Sequence, residues 1–207
     1  MISCKDFWNQ RSRIYDDLVG AMYEETNRLT AECALNYLTP SDRVLDFACG
    51  TGLITLQVAP HVAEVRAIDI SDEMVARFRG KLDVRGAGNI ELSQTDLFDP
   101  CLEPGSFDAV MACNVLCYVE NFDVVMARIQ ELLKPGGYFI SATDCLGQMW
   151  TKEGAQKFIR SHTGKMPYVA FFRNKGLERK IAASGFTVLE TAVLYPSPPN
   201  LFVAARK

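Results

Sequence analysis

The fold of this 207-residue chain is decided by the stretch VLDFACGTGL, residues 44–53. Its apolar first half has the composition of a buried strand, and Gly50 and Gly52 mark a tight turn behind that strand. Glycines let the backbone of such a turn approach a ligand closely, and a helix that begins directly afterwards points its N–H groups toward the same place. The stretch therefore predicts a strand, a ligand-binding turn and a helix, which together form the first unit of an α/β sheet.

The chain on either side of this unit alternates between short apolar runs and amphipathic segments. Besides residues 43–47, apolar runs predict strands at 65–70, 90–95, 107–112 and 138–142. Helical periodicity between these runs predicts helices, among them 71–82 and 122–133. Strands that alternate with helices in this way form parallel βαβ units whose sheet is covered on both faces.

The two ends of the chain depart from this alternation. The patterns of residues 5–18 and about 21–38 predict two helices that pack outside the sheet. Near the C-terminus, strands at 186–195 and 201–205 are separated by too few residues for a parallel crossover, so they must pair antiparallel. We therefore predict a seven-stranded, mostly parallel, Rossmann-like α/β sheet with an antiparallel C-terminal hairpin and helices on both faces.

Length and composition predict one domain over residues 1–207, with ordinary fractions of hydrophobic (48%) and charged (23%) residues. No apolar run is long enough to span a bilayer, and a net charge of −3 lends no support to nucleic-acid binding. Seven cysteines without metal-ligand spacing, and an N-terminus without a secretory signal, favour a cytoplasmic protein with reduced thiols. We expect no metal site, no nucleic-acid partner and no membrane partner, and the sequence leaves the oligomeric state open.

Two aspartates at strand ends indicate the class of ligand. Asp46 ends the first strand beneath the turn, Asp69 ends the second strand, and ligands of open α/β sheets bind at these carboxyl ends. A carboxylate at Asp46 would repel a pyrophosphate and attract a cation, whereas Asp69 is placed to accept hydrogen bonds from ribose hydroxyls. Thr55 stands where a dinucleotide fingerprint has its third glycine. A nucleoside with a positively charged centre, such as S-adenosylmethionine, fits these residues better than NAD.

With these residues in view, the sequence resembles the class I S-adenosylmethionine-dependent methyltransferases, in particular their small-molecule branch, over about residues 7–207. The stretch DFACGTG (46–52) looks like the acidic and glycine-rich first motif of that family, with Ala48 in place of its first glycine. The second and third motifs are similar to AIDIS (67–71) and QTDLFD (94–99). The later strands resemble FDAVMACNVLCYVEN (107–121) and LLKPGGYFI (132–140) in order and spacing.

The resemblance implies which residues hold the cofactor. These are Tyr15, Asp46, Ala48, Gly50, Gly52, Asp69, Ile70, Met74, Asp96, Leu97 and Asn114. Asp46 and the turn would hold the methionine ammonium, with Asn114 beside it, and Asp69 would bind the ribose. Ile70, Met74, Asp96 and Leu97 would contact the adenine, while Tyr15 would close over the cofactor from N-terminal helices (residues 1–40) that cover the cleft. Each residue also has a structural alternative, such as helix capping for the aspartates and core packing for Tyr15.

Methyl transfer requires donor and acceptor to be aligned, and a hydroxyl or thiol acceptor also requires a base. The candidate catalytic residues are Tyr118 after the fourth strand, Asp144 after the fifth, and His162 in the segment 145–172. We expect that segment to form a substrate wall, because its aromatic and basic residues suit an aromatic or anionic small molecule. The prolines and aromatic residue that hold a flipped base in base-methylating enzymes do not follow Asn114.

Two other functions remain open at this point. One is a nicotinamide-dependent oxidoreductase, which Asp46 and the missing third glycine disfavour. The other is a non-catalytic cofactor-binding protein that has kept the fold, since a fold does not imply a reaction. The sequence identifies neither the acceptor nor the atom that is methylated.

Overall fold

A computed structural model describes residues 2–17 and 23–207 and confirms the seven-stranded sheet. The strands are β1 Arg43–Phe47, β2 Glu64–Asp69, β3 Ile90–Gln94, β4 Phe107–Cys113, β5 Leu133–Asp144, β6 Thr187–Pro196 and β7 Pro199–Arg206. Their order across the sheet is β3-β2-β1-β4-β5-β7-β6. Among the described strands, β7 is the one that runs in the direction opposite to the others. The order reverses between β1 and β4, and the carboxyl ends of these two strands therefore open a crevice for a ligand.

Helices cover both faces of the sheet, as the sequence predicts. They are α1 Cys4–Tyr15, α2 Glu24–Leu35, α3 Thr55–Val58, α4 Asp72–Arg85, α5 Phe122–Leu132, α6 Lys152–His162 and α7 Asn174–Ala183. Successive strand residues point to opposite faces, so Val44 packs in the cluster with α2 and α4, while Leu45 packs in the cluster with α5 and α7. Both clusters are fully buried in their centres, and they hold the strand ends in fixed positions.

Some element boundaries differ from those predicted. β5 begins at Leu133 rather than 138, because Leu133 pairs with Phe107 before four residues loop out and pairing resumes between Tyr138 and Ala109. The helix behind the glycine turn, α3, is only one turn long, since Pro60 follows in a 3₁₀ turn. The predicted helix ends at Leu18 and Ala21 lie outside the described residues.

The cysteines, the possible metal ligands and the helix lengths of the described residues are as follows. All seven cysteines lie in the described ranges, and each is free. Within residues 2–17 and 23–207, no three side chains of His, Cys, Asp or Glu gather as a metal site would require. None of the helices over the same ranges combines the length and the apolar character needed to cross a bilayer.

Candidate active site

The glycine turn after β1 combines two different backbone requirements. Gly50 and Gly52 both have left-handed backbones, with φ of +56° and +80°. A Cβ on Gly50 would meet nothing within 4 Å, and Gly50 lines a cavity of about 300 Å³ along the ends of the strands. A Cβ on Gly52 would lie 2.3–2.5 Å from the ring of Phe78, and Gly52 is absent from the lining of the cavity that Gly50 lines. The structure therefore gives Gly52 a packing role, because its missing side chain allows α4 to pack against the turn.

Asp69 joins the turn to the start of α4. It is buried at the end of β2, where its Oδ2 accepts a hydrogen bond from Gly50 N at 2.9 Å and its Oδ1 accepts one from Ser71 N at 2.8 Å. Burial raises the pKa of Asp69, and the two backbone N–H groups partly counter that effect. Asp69 also lines the same cavity as Gly50, so this carboxylate both holds the turn and faces the candidate ligand space.

Asp46 is a buried carboxylate with one hydrogen-bond partner among the described residues. Thr55 Oγ1 donates to Asp46 Oδ2 at 2.6 Å. Burial raises the pKa of Asp46 to about 7, and the negative charge of Asp69 adds to the effect. Asp46 lines a small side cavity together with Asn27 of α2, and does not line the cavity that Gly50 and Asp69 share. The structure thus places it beside the turn, in a pocket where a cation would relieve the cost of its charge.

Three cavities meet at this edge of the sheet, with volumes of about 300, 210 and 40 Å³. We call them the main, second and side cavities. The main cavity extends along the ends of β2, β3 and β4, whereas the second lies between α1, α6 and the ends of β5 and β7. Of the residues that the structure describes, only Tyr15 and Asn114 line all three. These two residues therefore mark the point where the contents of the three cavities would meet.

The remaining predicted cofactor residues lie around the main cavity. Ala48, Ile70, Met74, Asp96 and Leu97 all line it. Leu97 is fully buried, while Asp96 is exposed and its Oδ1 accepts a hydrogen bond from Phe98 N at 2.7 Å. This bond leaves acceptor positions on Asp96 free for a ligand.

Asn114 begins a chain of polar contacts that crosses to α6. Its backbone is left-handed, with φ of +57°, and its Oδ1 accepts a hydrogen bond from Asn200 Nδ2 at 2.8 Å. Asn200 Nδ2 also donates to Asp144 Oδ1 at 2.9 Å, and Asp144 Oδ2 forms an ion pair with Lys157 Nζ at 3.4 Å. Lys157 pairs in turn with Glu153 at 2.8 Å. These polar contacts hold Asn114, whose left-handed backbone is strained, at the point where the cavities meet. Such strain is found at functional sites.

An aromatic group separates the main and second cavities. The ring of Trp8 packs edge-on against Tyr118 at 5.2 Å and against Tyr15 at 6.0 Å. Burial raises the pKa of Tyr15 to about 12 and raises that of Tyr118 further. Both phenols are therefore protonated near neutral pH, so they can donate hydrogen bonds but cannot take a proton from an acceptor.

His162 does not reach the cavities, although the sequence made it a candidate base. It ends α6 in an exposed position, stacks on Phe158 with ring centroids 4.0 Å apart, and its Nδ1 lies 2.8 Å from the carbonyl oxygen of Phe158. It lines neither the main nor the second cavity. The outward direction of its side chain follows from the rotation of α6, which presents Lys157 to the second cavity instead.

The segment 145–172 forms a wall of the second cavity, with Met166 and basic residues as expected but without most of the expected aromatic residues. The residues of the segment that line this cavity are Glu153, Gln156, Lys157, Arg160 and Met166. Among the expected aromatic side chains, Trp150, Phe158 and Tyr168 are exposed, and Phe172 is buried in the core beside α5. The wall is therefore mainly polar.

Three residues that contribute to the site were not predicted: Trp8, Lys157 and Asn200. Trp8 stands seven residues before Tyr15, which places both on one face of α1, so helical spacing could have identified it. Asn200 follows a proline-rich connection and reaches Asn114 across 86 positions of sequence, and no local pattern indicates that contact.

Known proteins resemble this chain in sequence. A family model described as a methyltransferase domain matches residues 45–141. The ubiquinone/menaquinone biosynthesis C-methyltransferase UbiE of Teredinibacter turnerae is 33% identical over 126 residues, which cover 59% of this chain and 50% of that protein. The chain spans about half the length of the curated relatives it matches.

Solved structures share the fold at low sequence identity. Geranyl diphosphate methyltransferase in complex with S-adenosylmethionine has a TM-score of 0.69 at 17% identity, covering 86% of this chain and 84% of that one. The [4+2]-cyclase SpnF has a TM-score of 0.70 at 18% identity, covering 87% of this chain and 81% of that one. These likenesses establish the fold and leave the reaction open. Residues 45–141 of this chain are therefore similar to a methyltransferase domain, and the fold is similar to that of a methyltransferase solved in complex with S-adenosylmethionine.

Proposed function

We propose that this chain transfers a methyl group from S-adenosylmethionine, held in the main and side cavities, to a small molecule held in the second. The observation that carries this proposal is the convergence of the three cavities on Tyr15 and Asn114. A reaction between two bound molecules needs one place where both can meet, and alignment there supplies much of the rate. We further propose that residues 1–207 act as one domain, with α1 covering the cofactor through Trp8 and Tyr15.

The residues present fit the cofactor. The space over Gly50 admits a ligand against bare backbone, and the free acceptor positions of Asp69 suit ribose hydroxyls. Asp46 would hold the ammonium of the methionine part from the side cavity, because a cation there offsets the cost of its buried charge. Ile70, Met74 and the backbone at Leu97 would enclose the adenine. When bound, S-adenosylmethionine supplies a methyl group on a positively charged sulfur.

The chain's own residues position the reactants more than they move protons. Tyr118 is protonated near neutral pH and faces both larger cavities, so it would orient an acceptor by donating a hydrogen bond. Both oxygens of Asp144 have partners, Asn200 and Lys157, which suits a positioning role. The aromatic group of Trp8, Tyr15 and Tyr118 would exclude water from the meeting point.

The second cavity supports an aromatic or anionic acceptor. Phe7, Trp8 and Tyr23 supply rings, and the guanidinium groups of Arg11 and Arg160 have no acidic partner among the described residues. Two relatives are named for ubiquinone and menaquinone, and for magnesium-protoporphyrin, all of which contain rings. All seven thiols are free, which supports a cytoplasmic location for this protein.

Binding and turnover test the proposal separately. Titration calorimetry should show binding of S-adenosylmethionine and S-adenosylhomocysteine with micromolar affinity and no binding of NAD. Incubation with labelled S-adenosylmethionine and a metabolite pool should then transfer label and release S-adenosylhomocysteine. Binding of NAD alone would favour the oxidoreductase, whereas cofactor binding without label transfer from any pool would favour a non-methylating protein of this fold.

Asp46→Asn should stabilise the cofactor-free protein at pH 8 while it weakens binding of S-adenosylmethionine. Because the folded pKa, about 7, exceeds the ordinary value near 4, the folded state holds a proton that the unfolded state has released between these pH values. Stability therefore falls as the pH rises from about 4 to 7, and a neutral amide avoids this loss. We expect the melting temperature to rise by roughly 3 °C or more at pH 8 and to change little at pH 4.

Asp108→Asn provides the matched control. Although burial opposes the effect, hydrogen bonds from Arg43 N and Lys134 lower the pKa of Asp108, so its charge stabilises the folded protein above the ordinary pKa. That substitution should lower the melting temperature at pH 8. Equal effects of Asp46→Asn at pH 4 and pH 8 would contradict the interpretation of Asp46.

A further inference from the structure

Helix α6 has an inverted distribution of polarity. Its charged residues Glu153 and Lys157 line the second cavity and pair with each other, and the Lys157 side chain is only 16% exposed. Its apolar residues Phe158 and Ile159 are instead 49% and 60% exposed. A helix that packs on a protein in water normally buries its apolar side. The exposed apolar side of α6 is therefore expected to contact another molecule.

The exposed apolar surface continues into the residues before the helix. Trp150 is 95% exposed and Met149 is 45% exposed, and they directly precede Thr151, whose side chain caps α6 by accepting a hydrogen bond from Gly154 N. We call Met149, Trp150, Phe158 and Ile159 the outer face of α6. An almost fully exposed tryptophan beside other exposed apolar side chains is typical of an interaction surface.

The charges around the outer face are basic. Lys152 and Lys165 are exposed and have no ion pair within the described residues. The acid of this region, Glu153, is paired with Lys157 on the cavity side. Since the whole chain has a net charge of −3, this is a local reversal of sign, and it selects a partner with negative charge.

We propose that the outer face of α6 docks onto an anionic lipid surface. Apolar side chains with tryptophan among them, flanked by lysine and arginine, are the composition of helices that lie in the membrane interface, where the apolar groups enter the acyl boundary and the cations meet anionic head groups. The absence of a spanning segment led the sequence to predict no membrane partner, but surface docking needs no such segment. The proposal stands on exposure and charge, independently of the methyltransferase activity.

Vesicle binding tests the proposal directly. The purified full chain is mixed with phosphatidylcholine vesicles, with and without phosphatidylglycerol, and bound protein is measured by sedimentation. Binding should be at least about tenfold tighter with phosphatidylglycerol and should weaken as salt is added. The emission of Trp150 should shift to shorter wavelength on binding, and Trp150→Phe should remove that shift, because the other tryptophan, Trp8, faces the cavities.

Surface variants separate the apolar and the charged contributions. Trp150→Ser with Ile159→Ser should weaken vesicle binding at least about tenfold, and Lys152→Glu with Lys165→Glu should remove the preference for phosphatidylglycerol. Val84→Ser is the matched control, since Val84 is 87% exposed on α4 and lies outside the outer face. Absence of vesicle binding, equal binding to both vesicle types, or unchanged binding by the Trp150/Ile159 double variant would each overturn the proposal.

Discussion

Gly52→Ala is expected to lower the free energy of unfolding by roughly 2–5 kcal/mol, the sum of an overpacked contact and a left-handed backbone. The added Cβ would lie 2.3–2.5 Å from three ring atoms of Phe78. Phe78 is fully buried in the cluster between α4 and the sheet, so its ring cannot move aside without displacing that cluster. Urea unfolding followed by circular dichroism would measure the change.

Gly50→Ala is the matched control, two residues away in the same turn. Its φ of +56° also disfavours alanine, but its Cβ would meet open space, so only the backbone strain of roughly 1–2 kcal/mol remains. Gly50→Ala should fold and lose cofactor affinity, whereas Gly52→Ala should lose stability first. If both variants had the same stability, the packing role assigned to Gly52 would be wrong.

Asp69→Ala should lower the affinity for S-adenosylmethionine by at least about a hundredfold, which corresponds to roughly 3 kcal/mol. The substitution removes the group proposed to bind the ribose, and it releases Gly50 N and Ser71 N from the carboxylate that orders the turn. Hydrogen bonds to a charged group contribute about 1.5–3 kcal/mol each, so the loss of several of them supports an effect of this size. Titration calorimetry of the folded variant measures it.

Two variants make the Asp69 result specific. Asp69→Asn keeps one acceptor oxygen and should show an intermediate affinity. Asp83→Ala, on the exposed side of α4, should bind the cofactor as the wild type does. Wild-type affinity in Asp69→Ala would remove this residue from the proposed site, even if the protein proved to be a methyltransferase.

The local sequence was sufficient to predict where a side chain lies when a single strand or helix determines its position. Asp46 and Asp69 end buried strands, and parallel strands bring their carboxyl ends to one edge, so both lie beside the cavities as expected. The motifs along β2, β3 and β4 likewise place Met74, Leu97 and Asn114 around the main cavity. Alternation of apolar residues was also enough to predict seven strands and their hairpin.

Prediction failed where contacts between distant elements decide the outcome. The inverted polarity of α6 turns Phe158 and His162 toward solvent, although the aromatic content of the segment placed them in the expected substrate wall. The contact between Gly52 and Phe78 joins a turn to a helix that begins twenty residues later, and glycine spacing alone did not distinguish packing from ligand binding.

The sequence by itself determined the sheet and the glycine turn, and it led to the proposed nucleoside class, because strand periodicity and strand-end carboxylates act within single elements. Only the tertiary structure decided where the three cavities converge, since Tyr15 and Asn114 come from α1 and the end of β4. It also decided that Asn200 supports Asn114 and that α6 turns its apolar side outward. These features depend on how rigid elements rotate against each other, and that rotation is set by the packing of the whole core.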